Sequence, residues 1–449
     1  MEISGFEKII SIDEFEYLSE VNQHEQCHFS CSVAENDLDN LMSKVDTECS
    51  FADGDFKFKG CIVDISFTKD ISGSVLVVAA EGVSREYDRE PKCRVFQDPD
   101  KKISDMLKLL SSMKNVHNRV SGEAEIPGIL VQNRITDWKF AIELATSAGE
   151  FVFPGEDTFI SNKGKDKGTL DENDLVSFRY GKTPEGARLI CRMLKNFDLG
   201  DTVTFKGSQL FIRKKRFFLE HCSYFYEYEF HEVKDPESEI AVINNLTLDA
   251  SVINNRDEKN LGRLQLSFEH EPFEDPMQDR PCWIESESFF ATRDYGAVFI
   301  PAKKDLVLVR IYNGRAVVSG SLRTDAFNQI VKGADNQYLV FDDTRYIKFD
   351  NESSGRNKGI VLQKGKNRIE IHDEDIIVKS GDKITVKIDL NELNAKVFDS
   401  TLQLKDEFLV FNSENVVAKG KSKVSIEGEK VEIKGGKVNI KGNSGVGID

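Results

Sequence analysis

The sequence predicts a mainly β protein with two or three helices in its N-terminal half and a repetitive β-structured end. Three observations carry this expectation. Short segments with period-two alternation, bounded by Gly, Asp and Asn, occupy most of the chain. Apolar residues at helical spacing are confined to a few places. Beyond about residue 324 there is no proline, and the chain closes on a seven-residue repeat.

The 449 residues allow two to four domains. Strands are expected at 61–67, 74–80, Phe151–Phe153, Thr202–Phe205 and 224–230, where β-favouring residues alternate in and out. One helix is expected at 103–116, from the spacing of Ile103, Met106, Leu107 and Leu110. A second is expected at Asp137–Ser147, with Trp138, Ala141, Ile142 and Ala145 on one face and Thr136 as N-cap. A third is expected at 186–196. Trp138 and Trp283 read as core anchors. Composition breaks at Asp235, Pro236 and Glu237, and a compact β segment follows over 249–320.

Charge narrows the function classes. The chain carries 60 Lys+Arg against 77 Asp+Glu, a net −17. Such a surface repels phosphate backbones and anionic lipid, which argues against nucleic-acid binding and against a stable membrane anchor. No apolar run reaches the length of a bilayer-spanning helix. The opening MEISGFEKII has neither a basic stretch nor an apolar core, so no secretory signal is expected. Residues 360–449 hold 15 basic and 15 acidic side chains, so the acidic excess lies entirely upstream. The exception upstream is Arg213, Lys214, Lys215 and Arg216 between phenylalanines. It reads as a strand whose charges face solvent or a tube or baseplate partner.

Eight scattered cysteines without a CxxC pair read as free, buried apolar side chains. His24, Cys27, His28 and Cys31 form the most metal-like group. On a strand, Cys27 and Cys31 share a face about 13 Å apart and His28 points the other way, so no metal site is expected. Neither GxxxxGK[ST], GxGxxG nor GxSxG occurs. No cofactor and no catalysis are expected.

The C-terminal repeat is the clearest signal. Val424 and Ile426, Val431 and Ile433, Val438 and Ile440 recur every seven residues, punctuated by Gly428, Gly435, Gly436 and Gly442. A coiled coil needs apolar spacings of three and four. Here they are two and five, so each unit is a strand plus a turn. Ile369, Ile371, Ile376, Val378, Ile384, Val386, Leu402 and Leu404 keep a looser rhythm upstream. One rung buries two medium side chains, too little to offset ordering seven residues at roughly 1–2 kcal/mol each. Wrapping identical chains about one axis closes the edges and fills the centre. The expectation is a homotrimeric needle, with a monomeric sheet or curved solenoid as the alternative. Its tip would be Gly445, Val446, Gly447 and Ile448.

An ordered set of segments resembles the VgrG family, the spikes of type VI secretion systems and related contractile phage tails. These are 75–96, 129–153, 261–268, Trp283, and 295–320 with Gly296, Pro301, Asp305, Val307, Gly314 and Gly320. Lys304 departs from a common glycine before the acidic residue. The resemblance implies a hub of two β-barrel domains over 1–240, an OB-fold collar over 241–323, and an intertwined trimeric β-helical needle over 324–449. It further implies a puncturing spike seated on a hexameric tail-tube protein among baseplate proteins. A PAAR-type tip protein and effector cargo would ride on it, first in the cytoplasm and then ejected. Two other readings are a tail-associated glycan-degrading enzyme and a trimeric adhesin fibre. The first requires paired carboxylates about 5–9 Å apart in a cleft.

Overall fold

The computed structural model describes residues 2–439 other than 5, 7–8, 34–37, 72, 98–104, 106–128, 148, 156–158, 162–163, 185, 233–244, 275, 277–280, 289–298, 313–314, 323–336, 343, 351–358 and 406–407. The expected helix at 103–116, Ile440 and the tip Gly445–Ile448 fall outside the described residues. The chain divides into two units, Met1–Leu322 and Arg323–Asp449.

A 12-stranded sheet dominates the first unit. Six strands precede residue 83, among them Ile9–Glu20, Gln26–Val33, Phe56–Asp70 and Gly73–Gly82. Six more follow residue 165, among them Ser177–Thr183, Gly186–Met193, Ser208–Glu220 and Ser223–Glu232. The halves meet where Ile9–Glu20 pairs antiparallel with Ser208–Glu220, Tyr17 opposite Phe217. Alternation builds these strands: along Gln26–Val33, Cys27, Phe29, Cys31 and Val33 are buried while Gln26 and His28 face solvent. The aromatic content is spent at the junction. Phe15 lies edge-on to Phe51, Phe56 and Phe217, and Phe56 stacks on Phe217 with ring centroids 4.3 Å apart. The strands before residue 83 and after residue 165 thus share one sheet and one core.

The expected strands are all present, as is helix Asp137–Ser147. The third helix is a correction: residues 186–193 form strand Gly186–Met193. Ala187, Leu189, Cys191 and Met193 all point into the core, and the strand is hydrogen-bonded on both sides. Sheet packing overrides the helix preference of Ala, Leu, Arg and Met.

Strands Leu246–Asn254, Gln265–Ser267, Glu285–Ser286, Leu306–Tyr312 and Arg315–Ser321 form a five-stranded sheet around a second core, the OB arrangement. A two-stranded hairpin, Lys92–Phe96 with Leu130–Ile135, precedes helix Asp137–Ser147.

The second unit is a nine-stranded antiparallel meander from Gln337–Asp342 to Phe408–Asn412, every strand pairing with the next. Six-residue strands begin at 359, 367, 375, 384, 392 and 400, so the period here is eight with one step of nine. Register aligns the apolar residues into two ladders on one face. One runs Leu339, Ile347, Leu362, Ile369, Val378, Val386, Ala395, Leu402, Phe411. The other runs from Phe349 through Ile360, Ile371, Ile376, Ile388, Leu393 and Leu404 to Leu409. The opposite face is mixed, with Val361 buried beside Glu370 and Ile377 in line with them, and its charged side chains pair with one another. Glu370 accepts from Lys379 at 3.0 Å and lies 2.9 Å from the Arg368 guanidinium, and His372 meets Asp375 at 2.8 Å. No strand is assigned among the described residues 413–439.

Candidate functional surfaces

The basic run lies on Ser208–Glu220, the strand joining the hub halves. Lys214 reaches Glu20 at 3.4 Å, and Arg216 pairs with Glu16 and lies over the Phe218 ring. Lys215 is buried at 8% exposure, donates to Asn196 Oδ1 at 2.7 Å and sits over the Tyr226 ring. Burial pushes its ammonium down to about 8, although Asp198, Glu25 and Asp201 favour the charge. Arg213 is the exposed member. Three of the four expected contact residues are therefore engaged within the chain.

The metal-like group is dispersed as strand geometry requires. Cys27 and Cys31 are both 0% exposed and point inward, while His28 points out. Burial pushes the Cys31 thiol up to about 12, the behaviour of an unreactive apolar side chain. The stretch from His24 to His28 also spells His-Glu-x-x-His, which the sequence reading passed over. That motif binds zinc when a helix sets both histidines on one face. Here it spans a turn and a strand start. Glu25 accepts from Tyr17 Oη in the core, and the His24 ring lies 4.4 Å from Trp138, 2.9 Å from Ser84 Oγ and 3.3 Å from Asp88. No cluster of metal-ligating side chains occurs among the described residues.

The hairpin under the OB sheet is held by charge. Arg94, 5% exposed, donates to Asp137 at 2.8 Å, and Lys92 reaches the same carboxylate at 3.2 Å. Asp137 opens the helix, where a carboxylate also faces the positive end of the helix dipole.

The apolar face of the meander is bare. Leu362, Ile369, Ile371, Ile376 and Val378 are each 38–41% exposed, and an open groove of about 520 Å³ passes over Ile347, Leu362, Ile369 and Val378. A sheet face this apolar and this extended exceeds what a monomer ordinarily leaves in water. Further on, Val424, Ile426, Val431, Ile433 and Val438 are 51–73% exposed. These repeat residues touch no core of their own chain, and sequence reasoning had singled them out by spacing alone.

Comparison with known proteins follows the same division. Residues 248–322 match the type VI secretion system and phage-baseplate injector OB domain. No curated protein sequence matches the chain. Among solved structures, an E. coli type VI secretion component similar to the T4 bacteriophage tail proteins gp27 and gp5 superposes with a TM-score of 0.51 at 12% identity, covering 72% of this chain and 99% of that one. The Francisella PdpA–VgrG complex gives a TM-score of 0.48 at 8% identity, covering 90% of this chain and 76% of that one. A tail protein from Neisseria meningitidis MC58 gives 0.37 at 11% identity, covering 49% and 92%. Residues 248–322 are thus an OB domain of the type VI secretion and phage-baseplate injector family, and the chain shares the fold of the E. coli type VI secretion component.

Proposed function

We propose that the protein is the spike subunit of a contractile injection apparatus, acting as a homotrimer and mechanically rather than catalytically. The observation that carries this is the double apolar ladder of the meander, whose members on one face are exposed or half-buried and none fully buried. Its fitting occupant is the same face of two further copies. Identical ladders present apolar columns of matching pitch, and residues 360–449 bring no net charge to oppose the approach.

Two modes of assembly follow along the needle. Between 337 and 412 each chain already satisfies its own strand ladder, so three finished sheets would pack face to face. Between 424 and 440 no such ladder exists within the described residues, so strand pairing there would come from neighbouring chains. The result is a narrow, edge-free rod suited to axial load. In this reading the hub seats on a hexameric tail tube among baseplate proteins. The tip, Gly445, Val446, Gly447 and Ile448, carries a PAAR-type cap and effector cargo, and the protein moves from the cytoplasm to the target on contraction. Among the described residues no helix is long and apolar enough to cross a membrane. Light scattering on the purified full chain tests the reading: a mass three times that of one chain supports it, and a single-chain mass excludes it.

A further inference from the structure

The OB sheet does not close its core with its own residues. Beside Leu248, Val252, Val309 and Ile311, the second core contains Val95, Ile129 and Val131, which are 0%, 1% and 1% exposed. Val95 and Val131 come from the hairpin upstream and Ile129 immediately precedes its second strand, all outside residues 248–322. The backbone is engaged as well as the side chains. The Val95 N–H donates to the Glu274 carbonyl at 2.9 Å, and the Glu274 N–H donates to the Cys93 carbonyl at 3.0 Å. Gln97, wholly buried, donates its Nε2 to the Leu266 carbonyl at 2.9 Å. The barrel core therefore has one wall supplied by another part of the chain.

The same hairpin is fixed on its far side. Arg94 and Lys92 bind Asp137, the first residue of the helix. Trp138 lies against His24, and Asn22 on the same turn exchanges two hydrogen bonds with Val152, at 2.7 and 2.8 Å. The hub core and the OB core remain separate clusters, and none of Val95, Ile129 and Val131 belongs to the hub cluster.

We infer that the hairpin Lys92–Phe96 with Leu130–Ile135 is energetically part of the OB barrel, which is not self-sufficient, and that the Arg94–Asp137 pair is the joint fixing this barrel to the hub. A buried apolar wall and a shared ladder open together, because removing either leaves the other exposed and unpaired. The inference does not depend on the spike reading, since it concerns only which segments share a core.

Native-state hydrogen exchange of the full chain in subdenaturing urea tests it. The amides of Lys92–Phe96, Leu130–Ile135, Leu246–Asn254 and Leu306–Tyr312 are expected to merge into one opening reaction. Barrel strands that open at lower urea while the hairpin stays protected overturn the inference. The variant Val131→Ala supplies a second arm. It is expected to speed exchange in Leu306–Tyr312 on the order of tenfold while leaving Gln26–Val33 unchanged. Unchanged barrel exchange, or an equal rise in both strands, also overturns it.

Discussion

Arg94 Nη1 donates to Asp137 Oδ1 at 2.8 Å across an interior where the two side chains are only 6% and 5% exposed. Burial alone would raise the Asp137 carboxyl. The hydrogen bond from Gln132 and the charges of Arg94 and Lys92 outweigh it and hold the carboxyl below its ordinary 3.8. Arg94→Met leaves a buried carboxylate short of a partner and should cost about 3–5 kcal/mol in urea unfolding of the first unit. The pH dependence has a definite sign. A depressed carboxyl contributes stability that is fully present above 3.8 and disappears as pH falls through its lower folded value. Asp137→Asn should therefore flatten the acid limb of the stability profile below about pH 4.

Lys215 has the opposite character. Its folded value of about 8 lies below the ordinary 10.5, so between those limits the unfolded chain binds more protons. Stability should rise as pH increases from 8 to 10.5, and be at its lower level below 8. A displacement of this size corresponds to about 3 kcal/mol at neutral pH. Lys215→Met should raise the melting temperature at pH 7, with the gain reduced by the lost hydrogen bond to Asn196, and the gain should shrink at pH 10. Thermal unfolding at the two pH values reads the difference.

The meander face makes a sharper demand. Ile369 pairs with Leu362 on one side and Val378 on the other, in the middle of the apolar ladder. Ile369→Asp should abolish the proposed trimer while the far-ultraviolet β signal persists, because the residue is 40% exposed in the single chain. A trimeric Ile369→Asp protein would contradict the packing described above.

Gly359 tests the ladder itself. A Cβ there would stand 1.9 Å from the Ile371 carbonyl oxygen, a backbone atom that cannot swing aside. Gly359→Ala should destabilise the second unit by about 1–3 kcal/mol. Gly181→Ala, where a Cβ meets nothing within 4 Å, is the matched control expected near neutrality. Urea midpoints of the two variants give the comparison.

Arg213 is the exposed residue of the basic run, its neighbours being bound to Glu20, Asn196 and Glu16. Arg213→Glu should weaken co-sedimentation with a hexameric tube on the order of tenfold at low salt and less at high salt. Lys215→Met should leave that binding unchanged.

Much of this structure was legible where periodicity is local. The helix Asp137–Ser147 showed in its apolar spacing, although its buried face runs through Phe140 and Leu144 in place of Ala141 and Ile142, and the strand around Cys27 and Phe29 showed in strict alternation. The misread strand Gly186–Met193 shows the limit. Its residues favour helix locally, and only the strands on either side decide otherwise. The eight-residue period of the meander was hidden because its apolar pairs differ in type from strand to strand and become a ladder only in register. A dense run of cations reads as surface, yet Lys215 is interior because strand alternation turns it inward between Lys214 and Arg216. The spelling His-Glu-x-x-His carries no chemistry here because its meaning depends on a helix that this turn does not form. The contribution of Val95 and Val131 to the OB core had no local signal at all, since it joins positions far apart in the chain.

The stack of Phe56 on Phe217 draws its rings from opposite ends of the hub sequence. Cutting the backbone anywhere between those ends would therefore not separate the products. A nicked hub should migrate as one particle in native electrophoresis and fall into two fragments only in detergent.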